Sequence, residues 1–301
     1  LEIVDASYTF KDLSSGEQWS CESLDSREIL AGFYDLTYEA KVLLPNGNKI
    51  AVSAIKQNLV VDKNLSLVLS SFEKNASEDF VIQEIFFAGS QYENGRSYSG
   101  DQYLVVFNNS DKVLYADGLA ILESRLLSTQ KYDIVPNYIS DYFMTQCVYV
   151  VPGNGFEHPV EPGKSITICD VGIDHRQINP NSIDLSSADF EWYDVSSNAA
   201  VQDIDSESVP NLYKWYCYTN TIWLLHNRGF KAYAIARMQC DQSTFLSDYE
   251  REYSYVNVTS AGAFDMTGRC YVVPNSWIID AVQCGVESEH PGNVIDNQLD
   301  R

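Results

Sequence analysis

The clearest alternation of apolar and polar positions lies between Ile82 and Ile121. It reads I-Q-E-I-F-F-A-G-S, a polar loop, D-Q-Y-L-V-V-F-N-N-S-D, and then V-L-Y-A-D-G-L-A-I. Three apolar runs separated by turn residues predict consecutive strands of a β-sandwich core. In the middle run, Tyr103, Val105 and Phe107 fall on one face, and Leu104 and Val106 on the other. Apolar character on both faces predicts a central strand covered on both sides. The turn after it, Asn108-Asn109-Ser110-Asp111, uses side chains that bond neighbouring backbone groups.

Strand-like runs also precede this stretch, at Ile3 to Phe10, Glu28 to Leu44 (with Gly32 as a bend or bulge), Ala51 to Val61 and Leu65 to Phe72. Asn46-Gly47 is a hairpin signal, because both positions tolerate positive φ. Strand after strand with short turns predicts a small antiparallel sandwich over residues 1–75, and the polar Glu73 to Asp79 is the expected boundary. The second domain then runs over 80–301. Within it, Phe245, Tyr249 and Tyr253 recur every four residues and predict a short helix in 238–254. S-A-D-F-E-W-Y at 187–193 reads as a helical turn capped by Ser186 or Ser187.

Composition agrees with an all-β chain: hydrophobic residues make up 45%, with 20 Tyr and 13 Phe, enough for a real core and rich in side chains that suit pleated surfaces. Lys+Arg number 20 against 42 Asp+Glu, a net charge of −22, which argues against nucleic acid and against direct binding to anionic lipid. The acidity suits a soluble, secreted or surface-exposed protein, or one that attracts cations. The seven cysteines have no C-x-x-C spacing, so a zinc ribbon or a thioredoxin-type site is not expected. Most sit in apolar runs and read as buried thiols. One or two disulfides stay open if the compartment is oxidising, with no pairing assigned. No apolar run reaches the ~18 residues a spanning helix needs. The chain starts inside a strand-like run at Leu1, and its native N-terminus is expected to have been removed.

Several of these pieces resemble known families. L-A-G-F-Y-D-L-T-Y-E-A at 30–40 resembles the G-x-Y core strand of prealbumin-like domains. The order I-x-E-I, D-x-Y-x-x-x-x-N-x-S-D, V-x-x-x-D-G-L resembles the lamin-tail domain, an Ig-like sandwich. V-E-P-G-K-S-I-T-I-C at 160–169, L-L-H-N-R-G at 224–229 and W-I-I-D-A-V at 277–282 are similar to later pieces of the same domain. The pieces spread over about 200 residues where such a sandwich needs about 100. Insertions are therefore expected at 122–146, 170–221 and 238–274. N-N-S-D-K-V-L-Y-A-D-G-L, taken with P-N-S-W-I-I-D-A-V, resembles the DUF4876 family of Bacteroides-type proteins. That resemblance implies a lipoprotein of the cell surface and outer membrane, anchored by a lipid outside this sequence, and brings no established activity. The expected fold is a small prealbumin-like sandwich followed by an enlarged Ig-like one, with one or two short helices.

Candidate chemistry is sparse. There is no G-x-S-x-G, and Ser165 in P-G-K-S-I reads as a strand entry. Of four histidines, His158 and His175 flank the Pro162-Gly163 turn and could approach each other, with Asp170 or Asp174 nearby, as ligands of a divalent metal; otherwise they are loop histidines. Asp203 and Asp205, alternating with Glu207, could offer calcium-type oxygens, or form a solvated loop. The densest aromatic region holds Trp192, Tyr193, Tyr213, Trp215, Tyr216 and Tyr218. Exposed, these rings would stack on sugars or a planar ligand; buried, they are packing between insertion and sandwich. The expected role is a non-catalytic surface binding or scaffold protein whose partner is a glycan, a protein or an outer-membrane receptor. The alternative is an accessory ligand- or metal-binding component of nutrient uptake.

Overall fold

A computed structural model describes residues 2–23, 28–43, 49–69, 72–73, 79–110, 112–259, 262–285, 293–296 and 299. The Asn46-Gly47 turn and most of the expected boundary at 73–79 lie outside them. The chain divides into two compact units, Leu1–Ala76 and Ser77–Arg301.

The first unit holds β1 (Glu2–Asp12), β2 (Gln18–Cys21), β3 (Gly32–Leu43), β4 (Lys49–Val61) and β5 (Phe72–Glu73). They form one antiparallel sheet in the order β2-β1-β3-β4-β5. Period-two patterning decides its faces: Tyr34, Leu36, Tyr38, Ala40 and Val42 are buried, while Phe33, Glu39 and Lys41 between them face solvent. Trp19 stacks on Phe10 at 4.4 Å on the covered side. A small two-layer sandwich was expected here, but the described residues form a single sheet. Leu65 to Leu69 is not the expected strand: although Leu65, Leu67 and Leu69 are spaced two apart, the segment runs irregularly and lays only Leu69 on the sheet.

The second unit holds β6 (Phe80–Phe86), β7 (Ser90–Gln91), β8 (Ser97–Tyr98), β9 (Tyr103–Asn108), β10 (Leu114–Tyr115), β11 (Leu119–Ser124), β12 (Tyr142–Val150), β13 (Pro159–Val160), β14 (Ser165–Cys169), β15 (Phe190–Glu191), β16 (Tyr213–Cys217), β17 (Ala232–Arg237), α1 (Gln242–Asp248), β18 (Glu250–Thr259), β19 (Gly262–Pro274) and β20 (Ile278–Gln283). Two sheets dominate. One has four strands in the order β15-β14-β9-β6. The other has seven: β18-β19-β12-β11-β17-β20, with β16 beside the far half of β12. The fold is an all-β sandwich.

The expected strands at Ile82–Ile121 are present, but they divide between the sheets, with β6 and β9 in the smaller and β11 in the larger. β9 lies between two neighbours as expected, yet its Tyr103, Val105 and Phe107 face is only half-buried. The strand buried throughout is β11. Its Leu119 and Ile121 join a core with Phe80, Leu104, Val106, Ile166 and Ile168 of the smaller sheet. Its Ala120 and Leu122 join a second core on the opposite face, closed by Leu126, Ile134, Phe245, Val294 and Ile295.

The stretches expected as insertions are not decorations. Residues 122–146 contain the end of β11 and half of β12; 170–221 contain β15 and β16; 238–274 contain α1, β18 and β19. The two sheets have absorbed them, chiefly the larger, which accounts for the excess length over a minimal sandwich. The helix in 238–254 stops at Asp248: Asp241 caps it by accepting from Thr244 N at 2.8 Å, and Tyr253 belongs to β18. S-A-D-F-E-W-Y is not helical either. Phe190–Glu191 pairs in parallel with β14, because Phe190 has an apolar pocket to fill in the first core.

Burial on both faces makes β11 intolerant of truncation. Ile121→Ala is expected to cost about 2–5 kcal/mol, whereas Val258→Ala, at an exposed site, should stay within about 0.5 kcal/mol. Chemical denaturation of the two variants measures the difference.

Candidate functional site

Two polar clusters sit on the loops of the sandwich. The first is built on the A-D-G turn between β10 and β11. Gly118 takes φ +72, a left-handed conformation that suits glycine, and its N–H bonds Val151 O. Asp117, nearly buried, then accepts from Gly155 N and Glu157 N through Oδ1, at 3.1 and 2.9 Å, and from His158 N through Oδ2 at 2.8 Å. A Cβ on Gly153 would collide with that carboxylate, so only glycine fits there. Burial opposes ionisation of Asp117, but the N–H donors outweigh it and hold its carboxyl below the ordinary range. The loop brings ligand atoms of Asp117, Glu157 and His158 within 4.8 Å of one another. The His158 ring also rests edge-on against Phe190 at 4.9 Å.

The second cluster gathers carboxylates at the end of β14 and β15. The Cys169↔Glu191 pairing sets Asp170 beside Trp192. Glu191 accepts from Gly172 N at 2.6 Å and Ser206 N at 2.7 Å. Asp203 accepts from Asp194 N at 2.8 Å and Ile204 N at 2.9 Å. Asp194, fully buried, is bonded by Tyr149 OH, Trp223 N and the Lys214 ammonium, the last two at 2.7 Å. Asp170 is 3% exposed, and its Oδ1 has no hydrogen-bond partner. Burial, reinforced by Asp203, Asp194 and Glu191, pushes the Asp170 carboxyl well up. Burial likewise lifts Glu191 to about 7 and Asp203 to about 6 against their N–H donors.

The residues singled out from sequence fall in several places. His158 joins the first cluster. His175 does not: it is buried, with Nδ1 at 2.7 Å from Tyr98 OH and Nε2 at 2.8 Å from Val171 O, so both ring nitrogens are engaged. Asp203 joins the carboxylate cluster, while Asp205 is exposed and accepts from Asn211 Nδ2 at 2.9 Å. The aromatic residues do not form one platform. Trp192 is in the first core, donating to Trp223 O at 3.2 Å, and Tyr193 is half-buried. A register shift in the β12–β16 ladder turns both Trp215 and Tyr216 onto the second core, leaving Tyr213 exposed at the start of β16 and Tyr218 exposed just past its end. Ser165 opens β14 and donates to Gln83 Oε1 at 2.9 Å. Asp117, Glu157 and Glu191 were not singled out, and Asp170, expected near the two histidines, lies in the carboxylate cluster instead. Asp117 had a signal in its Asp-Gly turn; the others meet their partners only through tertiary pairing.

An all-β sandwich whose larger sheet is buried on both faces at its centre, with carboxylate-rich loops, is the class that the structure defines. The family described as "Protein of unknown function (DUF4876)" matches residues 161–301. The chain is also similar to a DUF4876 family protein from Bacteroides thetaiotaomicron VPI-5482, whose crystal structure is known at 2.50 Å resolution. The TM-score is 0.60 at 22% identity, covering 99% of this chain and 77% of that one, a likeness of fold. Among curated proteins none matches.

The carboxylate cluster fixes a pH dependence. Asp170, Glu191 and Asp203 have folded values above those of the unfolded chain, so the folded state holds protons that the unfolded state releases. The stabilisation from Glu191 and Asp203 is complete below the ordinary carboxylate range and is lost as pH rises through about 6 to about 7, and that from Asp170 is lost as pH rises well above the ordinary carboxylate range. Asp117 acts oppositely, in acid. The denaturation midpoint of Asp170→Asn should therefore fall less than that of the wild type between about pH 5 and about pH 8.

Proposed function

We propose that this chain is a non-catalytic binding or scaffold protein of the cell surface, carried on the outer membrane as a lipoprotein, and that it meets a protein partner through the β18–β19 ribbon. The observation that carries this reading is the distal half of that hairpin. Val256, Val258, Phe264 and Met266 are exposed, Val258 to 77%. The register sets Val256 opposite Asp265 and Asn257 opposite Phe264, so both faces of the ribbon present apolar side chains to solvent.

The ribbon also offers a backbone edge. Ser254 exchanges two hydrogen bonds with Val135 across the outer side of β18, at 2.8 and 2.9 Å. Val256 and Val258 turn the same backbone edge outward, and no described strand pairs with it. An extended segment of a partner can add there as a strand while its side chains meet the valines.

A second reading, an accessory component of nutrient uptake that binds a divalent cation, is favoured by the Asp117–Glu157–His158 set. Imidazole and carboxylate donors suit a first-row transition metal, and the preformed loop would limit the ordering cost of binding.

Arrays of surface proteins and glycans, probed with the wild type and with a Val258→Glu, Phe264→Glu double variant, test the first reading. A protein binder lost in the variant, whose stability should change little, is the expected result. No binder at micromolar concentration, a glycan binder, or equal binding by the variant contradicts it. Elemental analysis of protein purified without chelator tests the second: metal should be present and lost in His158→Ala.

A further inference from the structure

We infer that Cys147 of β12 and Cys217 of β16 are a disulfide-forming pair that fastens the edge strand β16 to the centre of the larger sheet. All seven cysteines are thiols in the structure. Cys147 lies directly opposite Cys217 in the antiparallel β12–β16 ladder. Among the ladders of the described residues it is the one position where a cysteine faces a cysteine.

The phase of the ladder makes the pairing favourable. Tyr218 N donates to Gln146 O at 2.9 Å, so the neighbouring pair, Gln146 and Tyr218, is the hydrogen-bonded one. Antiparallel pairs alternate, which leaves Cys147 and Cys217 as a non-hydrogen-bonded pair, with Cα atoms ~4.5 Å apart and side chains drawn together. That separation lies inside the ~4.4–6.8 Å range that disulfides span. The two side chains also point the same way. Cys147 is a buried member of the first core, and Cys217 packs against that core from the rim.

The strand that carries Cys217 has a use for a crosslink. Among the described residues β16 pairs with β12 alone, and a register shift interrupts that short ladder between Val148 and Tyr149. It also carries Lys214, whose ammonium neutralises buried Asp194 at 2.7 Å. Holding β16 therefore holds the counter-ion of the carboxylate cluster.

The chemistry needs a disulfide donor, such as oxidised glutathione or a disulfide-transferring enzyme. The Cys217 thiolate attacks the donor and expels one donor thiolate. The Cys147 thiolate then attacks the mixed disulfide at the Cys217 sulfur and expels the second. The protein gives up two electrons and two protons, and the donor leaves as two thiols. Burial raises both thiols in the folded state, so the exchange runs when β16 opens or while the chain folds.

The test refolds the full chain in glutathione buffers from fully reduced to strongly oxidised, alkylates the remaining thiols and maps peptides without reduction. A linked peptide containing Cys147 and Cys217, with the other five cysteines alkylated, is the expected result. The oxidised protein should also unfold at higher denaturant than the reduced one, a difference absent in Cys217→Ser. Cys147 and Cys217 both alkylated in the most oxidising buffer, crosslinks to other cysteines, or a Cys147–Cys217 bond that lowers the midpoint would each overturn the inference.

Discussion

The second unit depends on a sheet that has no solvent face at its centre. In β11 every side chain is buried, alternately to the core shared with the smaller sheet and to the core under α1. β17 beside it is nearly as enclosed, with Ala232 to Ala236 all buried. Backbone groups in such strands are satisfied only by the ladders on either side, so the whole seven-stranded sheet must assemble for any part of it to persist. This is why the segments that look like excursions are needed. α1 places Phe245 against the second core, and β12 and β19 carry Phe143, Val148, Val272 and Val273 to it.

Enclosure also dictates how polar groups inside the sheet are treated. Lys231 is buried, and its ammonium donates to Ser124 O, Arg125 O and Gln146 Oε1 at 2.9 to 3.2 Å. Burial lowers it to about 8 in spite of Glu123, and burial raises Glu123 in turn. The ionic groups with access to ligands are therefore on the loops. The Asp117 carboxylate is held by three N–H groups of its loop and fixes Glu157 and His158 beside it. Asp170 is the contrasting case, a buried acid with an oxygen that nothing answers, next to three others. Free energy is stored there in holding protons rather than in pairing charges.

The sequence made the strands legible where period-two alternation was strong, as in Tyr103–Asn108 and Gly32–Leu43, and where glycine marked a turn, as at Gly163 and Gly229, both at positive φ. It misled where an element is set by tertiary demand. Phe190–Glu191 is only two residues long and parallel to its neighbour, too short to show a period. Tyr253 continues the four-residue spacing of Phe245 and Tyr249, yet belongs to a strand, since Asp248 ends the helix and β19 supplies a ladder. Of the candidate site, the scarcity of histidine was enough to single out His158. Its carboxylate partner Asp117 is 41 residues away and joined through the backbone of another loop, which no local pattern records. The aromatic cluster was visible as composition, but its division between two cores rests on one register shift in β16.

Native-state hydrogen exchange tests the enclosed sheet most directly. The amides of β11, β12 and β17 should exchange last, at a common rate that tracks global unfolding, while the exposed ribbon around Val258 and Phe264 exchanges far earlier. Exchange of β11 and β17 amides on the timescale of that ribbon would contradict the account.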